Sequence, residues 1–125
     1  MRPSIQHMNP DKEFWIPEGC YIIELVNPTH DPEMSIAQAR VEPNVTTQWH
    51  FLKGTVERYI ITSGEGVMEI GDLPPTTVQA GDVVLIPADC RQRITNTGQQ
   101  DLTFWCVCTP PFQEGIYQIA EDDSL

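Results

Sequence analysis

Basic residues, long apolar runs and cysteines are all scarce in this sequence, and each shortage removes a class of function. Seven Lys and Arg stand against eighteen Asp and Glu, a formal net charge of −11 over 125 residues. A polyanion is repelled by that field and no basic run offsets it, so neither nucleic acid nor an anionic membrane surface is expected as a partner. No stretch reaches the ~20 apolar residues that a membrane-crossing helix needs. The longest low-charge run, 102–112, is broken by Pro110 and Pro111. The opening residues Met1-Arg2-Pro3-Ser4-Ile5-Gln6-His7 lack the apolar centre and small-residue cleavage site of a secretory signal, which leads us to expect a cytoplasmic protein. Asn44-Val45-Thr46 spells a glycosylation acceptor, a coincidence of letters if the chain is not secreted. Four cysteines, Cys20, Cys90, Cys106 and Cys108, are too few for a disulfide framework and fit a reducing compartment. The plain reading of them is as small buried hydrophobes, with a soft-metal or redox role as the alternative.

Hydrophobic residues make up 40 % of the chain. That suffices for one core, and the length suits one domain over 1–125. Eleven prolines and eight glycines cut the sequence into short pieces, and no long segment shows a helical apolar stripe. Short runs rich in Val, Ile, Thr and aromatics appear instead at 20–26, 35–42, 46–51, 56–62, 66–70, 76–79, 82–86, 91–96 and 102–109. Turn signals such as Ser63-Gly64-Glu65-Gly66 and Asn96-Thr97-Gly98 separate them. Many short strands at regular spacing predict an all-β sandwich or barrel, with its core at about 35–110. Residues 1–30 read as an extended proline-rich arm with one apolar knot, Phe14-Trp15-Ile16. Such an arm covers either the barrel's own edge strand or a second subunit. The end of the chain, about 119–125, reads as a solvated acidic tail.

Two stretches carry the chemistry. In the first, His50 and Leu52 are followed after four residues by Glu57 and after six more by Gly64. In the second, Gly81, Pro87, Asp89, Gln92 and Asn96 keep a fixed register. Together they resemble the two motifs of the cupin family, small double-stranded β-helix barrels of the jelly-roll type. The family's frame places His at the positions of His50, Leu52 and Gln92, Glu at that of Glu57, and Gly at that of Asp89. The resemblance implies a barrel that binds a small polar organic molecule at a divalent-metal site (Mn, Fe, Ni or Zn). Here that site is altered to His50, Glu57 and Gln92, since Leu52 offers no donor. Oxygenase, isomerase, decarboxylase and lyase chemistry are all within the resemblance, and enzymatic activity itself is left open.

Pleat parity extends the candidate site. If His50 faces the interior, so do Gln48 and Leu52; with Glu57 go Tyr59 and Ile61, and with Gln92 go Ile94 and Asn96. On the last long strand the more apolar set, Leu102, Phe104, Cys106 and Cys108, is expected inside. Gln48, Tyr59, Ile94, Phe104 and Cys106 are therefore expected to contact the ligand, and an inward Cys106 would offer the donor that Leu52 lacks. Without metal, Glu57 and His50 would form a general acid–base pair suited to isomerisation or elimination, or an inert buried polar pair. The alternative is a metal-free barrel that binds a ligand without turning it over; a pure interaction protein working through its arm is a third reading. Trp49 and Trp105 are expected to point outward, which with the arm suggests a homodimer. Arg58, Arg91 and Arg93 read as surface charges.

Overall fold

In a computed structural model, whose described residues are 1–120, the chain forms two antiparallel sheets packed face to face. The first contains β1 (Phe14–Ile16), β2 (Cys20–Val26), β3 (Ser35–Val41), β5 (Val56–Ser63), β8 (Val83–Ile86) and β10 (Leu102–Thr109), in the order β1-β2-β3-β10-β5-β8. The second contains β4 (His50–Leu52), β6 (Glu65–Ile70), β7 (Thr76–Gln79), β9 (Gln92–Asn96) and β11 (Tyr117–Ile119), in the order β11-β4-β9-β6-β7. The chain passes repeatedly between sheets, the jelly-roll arrangement that the strand spacing and motifs lead one to expect. One short 3-10 turn, Pro10–Lys12, precedes the first strand.

Alternation decides what is inside. Tyr59, Ile61, Leu102 and Phe104 of the first sheet meet Met68, Val78 and Ile94 of the second in one buried cluster. Tyr59 and Phe104 pack ring on ring, centroids 4.3 Å apart. The inward set on β10 is the apolar one, with Trp105 and Val107 on the outer face.

The phrase Phe14-Trp15-Ile16 becomes edge strand β1, antiparallel to β2. That part of the arm therefore covers the barrel's own sheet edge. The run at 46–51 yields only a three-residue strand from His50. Upstream of it Thr46 makes an isolated bridge to Thr95, and Thr47 exchanges backbone and hydroxyl bonds with Ile94. Ile119 is paired with His50 in β11, and 121–125 lie outside the described residues.

Three motif residues explain themselves. Gly64 has φ +86° and lies so close to the strand opposite that an added Cβ would sit 2.7 Å from the Asp101 carbonyl oxygen. Asp89, standing where the family frame has glycine, adopts φ +64°, a conformation costly for most side chains. Its carboxylate accepts the Gly54 N–H at 2.9 Å, and its own N–H donates to the Leu52 carbonyl. Asn96, fully buried, donates to the carbonyls of Val41 and Gln100 and accepts from the Gly98 N–H, tying the β9–β10 turn to β3.

Candidate functional site

His50, Glu57 and Glu18 reach one cavity from three separate places in the fold. His50 lies on β4, with its side chain turned into the barrel and buried. Its Nδ1–H donates to the Gln48 carbonyl oxygen at 2.7 Å, which leaves Nε2 as the bare ring nitrogen. The ring stacks on Tyr117, centroids 4.8 Å apart and planes 16° from parallel. Tyr117 in turn donates its hydroxyl to the Gln48 side-chain oxygen at 2.9 Å. Gln48 thus fixes the imidazole twice over, by its backbone and through its stacking partner.

Glu57 comes from β5 in the opposite sheet. Gln92 stands opposite His50 in the β4–β9 pairing and donates its Nε2–H to Glu57 Oε1 at 2.8 Å, a buried bond between the sheets. The Cys108 thiol, directly across from Glu57 in register, approaches Oε2 at 3.7 Å. The third group, Glu18, sits in the Pro17-Glu18-Gly19 turn between β1 and β2. Gly19 makes that turn at φ +106°, a conformation in which side chains are rarely found. The Gln48 N–H donates to the Glu18 carbonyl oxygen at 2.9 Å, fastening the turn beside His50. There Glu18 Oε1 lies 3.7 Å from His50 Nε2.

The cavity these groups share has a volume of about 200 Å³. That equals six or seven water volumes at ~30 Å³ each, and falls below the ~300–1,000 Å³ of a drug-sized site. Its walls are mainly apolar and aromatic, and burial governs its proton chemistry. Loss of water pushes the carboxyls of Glu57 and Glu18 up to about 7 each. The Gln92 hydrogen bond holds Glu57 down in part, while the charge of Glu18 raises it further. Burial lowers His50, opposed by its bond to the Gln48 carbonyl and by the charge of Glu57. Tyr59 and Cys106 are raised well above their ordinary values by burial and then by Glu57, so both are neutral donors at neutral pH. The result is a neutral imidazole with a free lone pair between two carboxyls poised to hold or release a proton near pH 7.

Of the residues expected at the site, His50, Glu57, Tyr59, Phe104 and Cys106 line the cavity together. Three others do not. Gln92 is fully buried behind Glu57, Gln48 stands behind His50 and Tyr117, and Ile94 is packed in the core beside Met68. Glu18, Tyr117 and Cys108 also line the cavity. Cys108 follows from strand parity. Glu18 lies outside both motifs, and its sequence signal is a lone carboxylate in a Pro-x-Gly turn between two apolar runs.

The donors around the cavity do not make up the divalent-cation site that the family frame implies. Among the described residues no three His, Cys, Asp or Glu side chains converge as a metal-holding group. Gln92 turns its amide N–H, not its oxygen, to Glu57 and occupies Oε1 of that carboxyl, and Leu52 fills its position with hydrocarbon. One imidazole and two protonatable carboxyls around one cavity are equipped to accept and donate protons.

Comparison with known proteins agrees with this architecture. No curated protein sequence matches the chain. Among solved structures it is similar to a predicted oxalate decarboxylase from Thermotoga maritima, with TM-score 0.76 and 23 % identity over 86 % of this chain and 99 % of that one. It is similar to a Streptomyces nucleoside dehydratase, Pac13, with TM-score 0.75 and 16 % identity over 94 % and 92 % of the two chains. It is also similar to an uncharacterised protein with a double-stranded β-helix domain from Klebsiella pneumoniae, with TM-score 0.73 and 15 % identity over 90 % and 93 %. At these identities the likeness is one of fold. The family profile of the cupin domain matches residues 37–108, from the middle of β3 to the cysteine beside Glu57, and the chain belongs to the cupin family.

Proposed function

We propose that this cupin binds a small polar organic molecule in the barrel and transfers protons on it without a metal, as an isomerase or a lyase. The observation that supports this reading best is the pairing of a neutral His50, its Nε2 bare, with a Glu57 carboxyl near 7 in one small apolar cavity. In such a reaction His50 Nε2 takes a proton from carbon next to a carbonyl, and protonated Glu57 gives its proton to the carbonyl oxygen, leaving an enol. Gln92 positions Glu57 by holding Oε1, so that Oε2 is the atom that carries the proton. Fold neighbours named for decarboxylation and for dehydration are compatible with a barrel that handles protons and small leaving groups.

The test is hydrogen–deuterium exchange. In deuterated water, with a panel of small carbonyl compounds bearing hydroxyl, amino or carboxylate groups, the protein is expected to exchange the acidic C–H of at least one compound. His50→Ala and Glu57→Gln should each slow that exchange by roughly 10²–10⁴-fold. Exchange no faster than buffer across the panel would leave a barrel that binds without turnover. Adding manganese, iron, nickel or zinc is expected to leave the thermal midpoint unchanged, because a bound metal would raise it by mass action. One metal per chain in elemental analysis, lost on His50→Ala, would overturn the metal-independent reading.

The same proposal includes assembly as a homodimer through the outer face of the first sheet. Trp105, Ile60 and Val83 form one row of that face, and Val107, Arg58 and Leu85 the next. Val83 and Leu85 are 57 % and 69 % exposed. The six positions include no carboxylate in a chain with eighteen, so two copies approach here against the least repulsion. Light scattering is expected to give twice the 14.1 kDa chain mass, falling to one chain with Leu85→Glu. A wild-type protein that scatters as a single chain would refute it. Trp49, the other outward indole, is already covered: the guanidinium carbons of Arg91 and Arg93 lie 4.2 and 4.3 Å from its ring centroid.

A further inference from the structure

We propose that the cavity selects a small organic cation, an amine or quaternary ammonium, over carboxylates and over neutral molecules of the same shape. This rests on reading the cavity as a ligand site and adds the charge of what it takes. The lining carries three carboxyl side chains, Glu18, Glu24 and Glu57, and no Lys or Arg. An anion entering it would give up its hydration and meet no counter-charge, a loss that apolar walls make worse. A cation meets carboxylates whose attraction those same walls strengthen.

Two independent features point the same way. His50 and Glu18 both turn hydrogen-bond acceptors to the cavity. Nε2 of His50 is bare and its ring is buried against the lining, with Glu18 Oε1 3.7 Å away as a second acceptor. A ligand N–H can satisfy such atoms, whereas a carboxylate cannot. The walls, moreover, present aromatic rings. Tyr59 and Phe104 pack together on one side and Tyr117 lies over His50 on another, with Phe14 and Phe112 also lining the cavity. Ring faces attract cations, more strongly where water is excluded. Acceptors, carboxylates and ring faces around ~200 Å³ make a receptor for a compact positive charge.

Three probes with one carbon skeleton test the charge alone: choline, its neutral isostere neohexyl alcohol, and the anion tert-butylacetate. Binding to the full chain is followed by calorimetry and by the ring resonances of His50 and Tyr117. Choline is expected to bind roughly ten-fold or more tighter than the alcohol, with tert-butylacetate not binding. The double variant Glu18→Gln/Glu57→Gln should erase the difference between choline and the alcohol while leaving the alcohol's affinity in place. An alcohol or a carboxylate that binds as well as choline would overturn the charge preference and leave the ligand site standing. If none of the three moves the His50 resonances at millimolar concentration, the ligand site falls with it.

Discussion

Glu57 and Gln92 make a pair whose two members are separable by substitution. Gln92 donates to a carboxylate oxygen and so stabilises the ionised form of Glu57, but its own oxygen is buried without a partner. Replacing Gln92 with Leu removes the stabilising bond and the orphaned atom together. The Glu57 pKa is therefore expected to rise further above 7, read from the pH dependence of its carboxyl carbon resonance. Global stability should change little, because deleting an unsatisfied buried group offsets a lost hydrogen bond. Asp89 gives the opposite lesson. Its φ of +64° is tolerated because the carboxylate reaches the Gly54 N–H. Asp89→Gly is expected to fold with near-native stability, whereas Asp89→Ala keeps the backbone cost, loses the bond and should lose about 1–3 kcal/mol in denaturant titration. At this scale much of the site is readable from the chain. Parity on three strands leads to His50, Glu57, Tyr59, Phe104 and Cys106, and these five line one cavity. What parity does not give is depth. Gln48, Gln92 and Ile94 face inward as well, yet stand behind the lining because neighbours with longer reach or closer position cover them.

Elements differ in how they announce themselves. Strands β2, β7 and β10 occur where their runs of strand-forming residues begin and end, because each is bounded by turn residues. Strands β1 and β11 are three residues each and exist by pairing onto a ready-made edge, a tertiary effect that three residues of sequence cannot express. Missing β1 as a strand also hides Glu18, since the turn that aims its carboxylate exists only once β1 lies against β2. The β9–β10 turn depends on Asn96 in a different way. Asn96→Ala takes its donor from the buried Val41 carbonyl and also frees the Gln100 carbonyl and the Gly98 N–H at the turn. At about 1–3 kcal/mol for each unsatisfied group, it is expected to lower stability by several kcal/mol in urea unfolding. Asn96→Asp, which keeps an acceptor for the Gly98 N–H but loses both donors, should fare no better.

For the whole molecule the pH dependence of stability carries the signature of the site. Glu18 and Glu57 are raised from 4.5 to about 7 in the folded chain. Between those values the native state holds protons that the unfolded chain has released, so stability is highest below pH 4.5 on their account. It is lost as pH rises through about 7. His50, lowered by burial, works against this below its ordinary 6.5, but it is one group against two. Thermal midpoints are expected to fall from pH 5 to pH 8, and to do so much less in Glu18→Gln/Glu57→Gln. An unchanged slope in that variant would place the titrating groups elsewhere.

The carboxylate nearest His50 Nε2 is carried on the turn between β2 and the edge strand β1, which is three residues long and leaves Phe14 and Trp15 about half exposed. Such an edge detaches at a small fraction of the free energy that holds β10, so the amides of 14–16 should exchange with solvent long before those of 102–109. Each detachment would carry the Glu18 carboxyl away from His50 Nε2 and uncover one wall of the cavity. The edge that would open the barrel is thus the edge that carries one of its carboxyls, so access to the cavity and the company His50 keeps there are tied to the same three residues, Pro17-Glu18-Gly19.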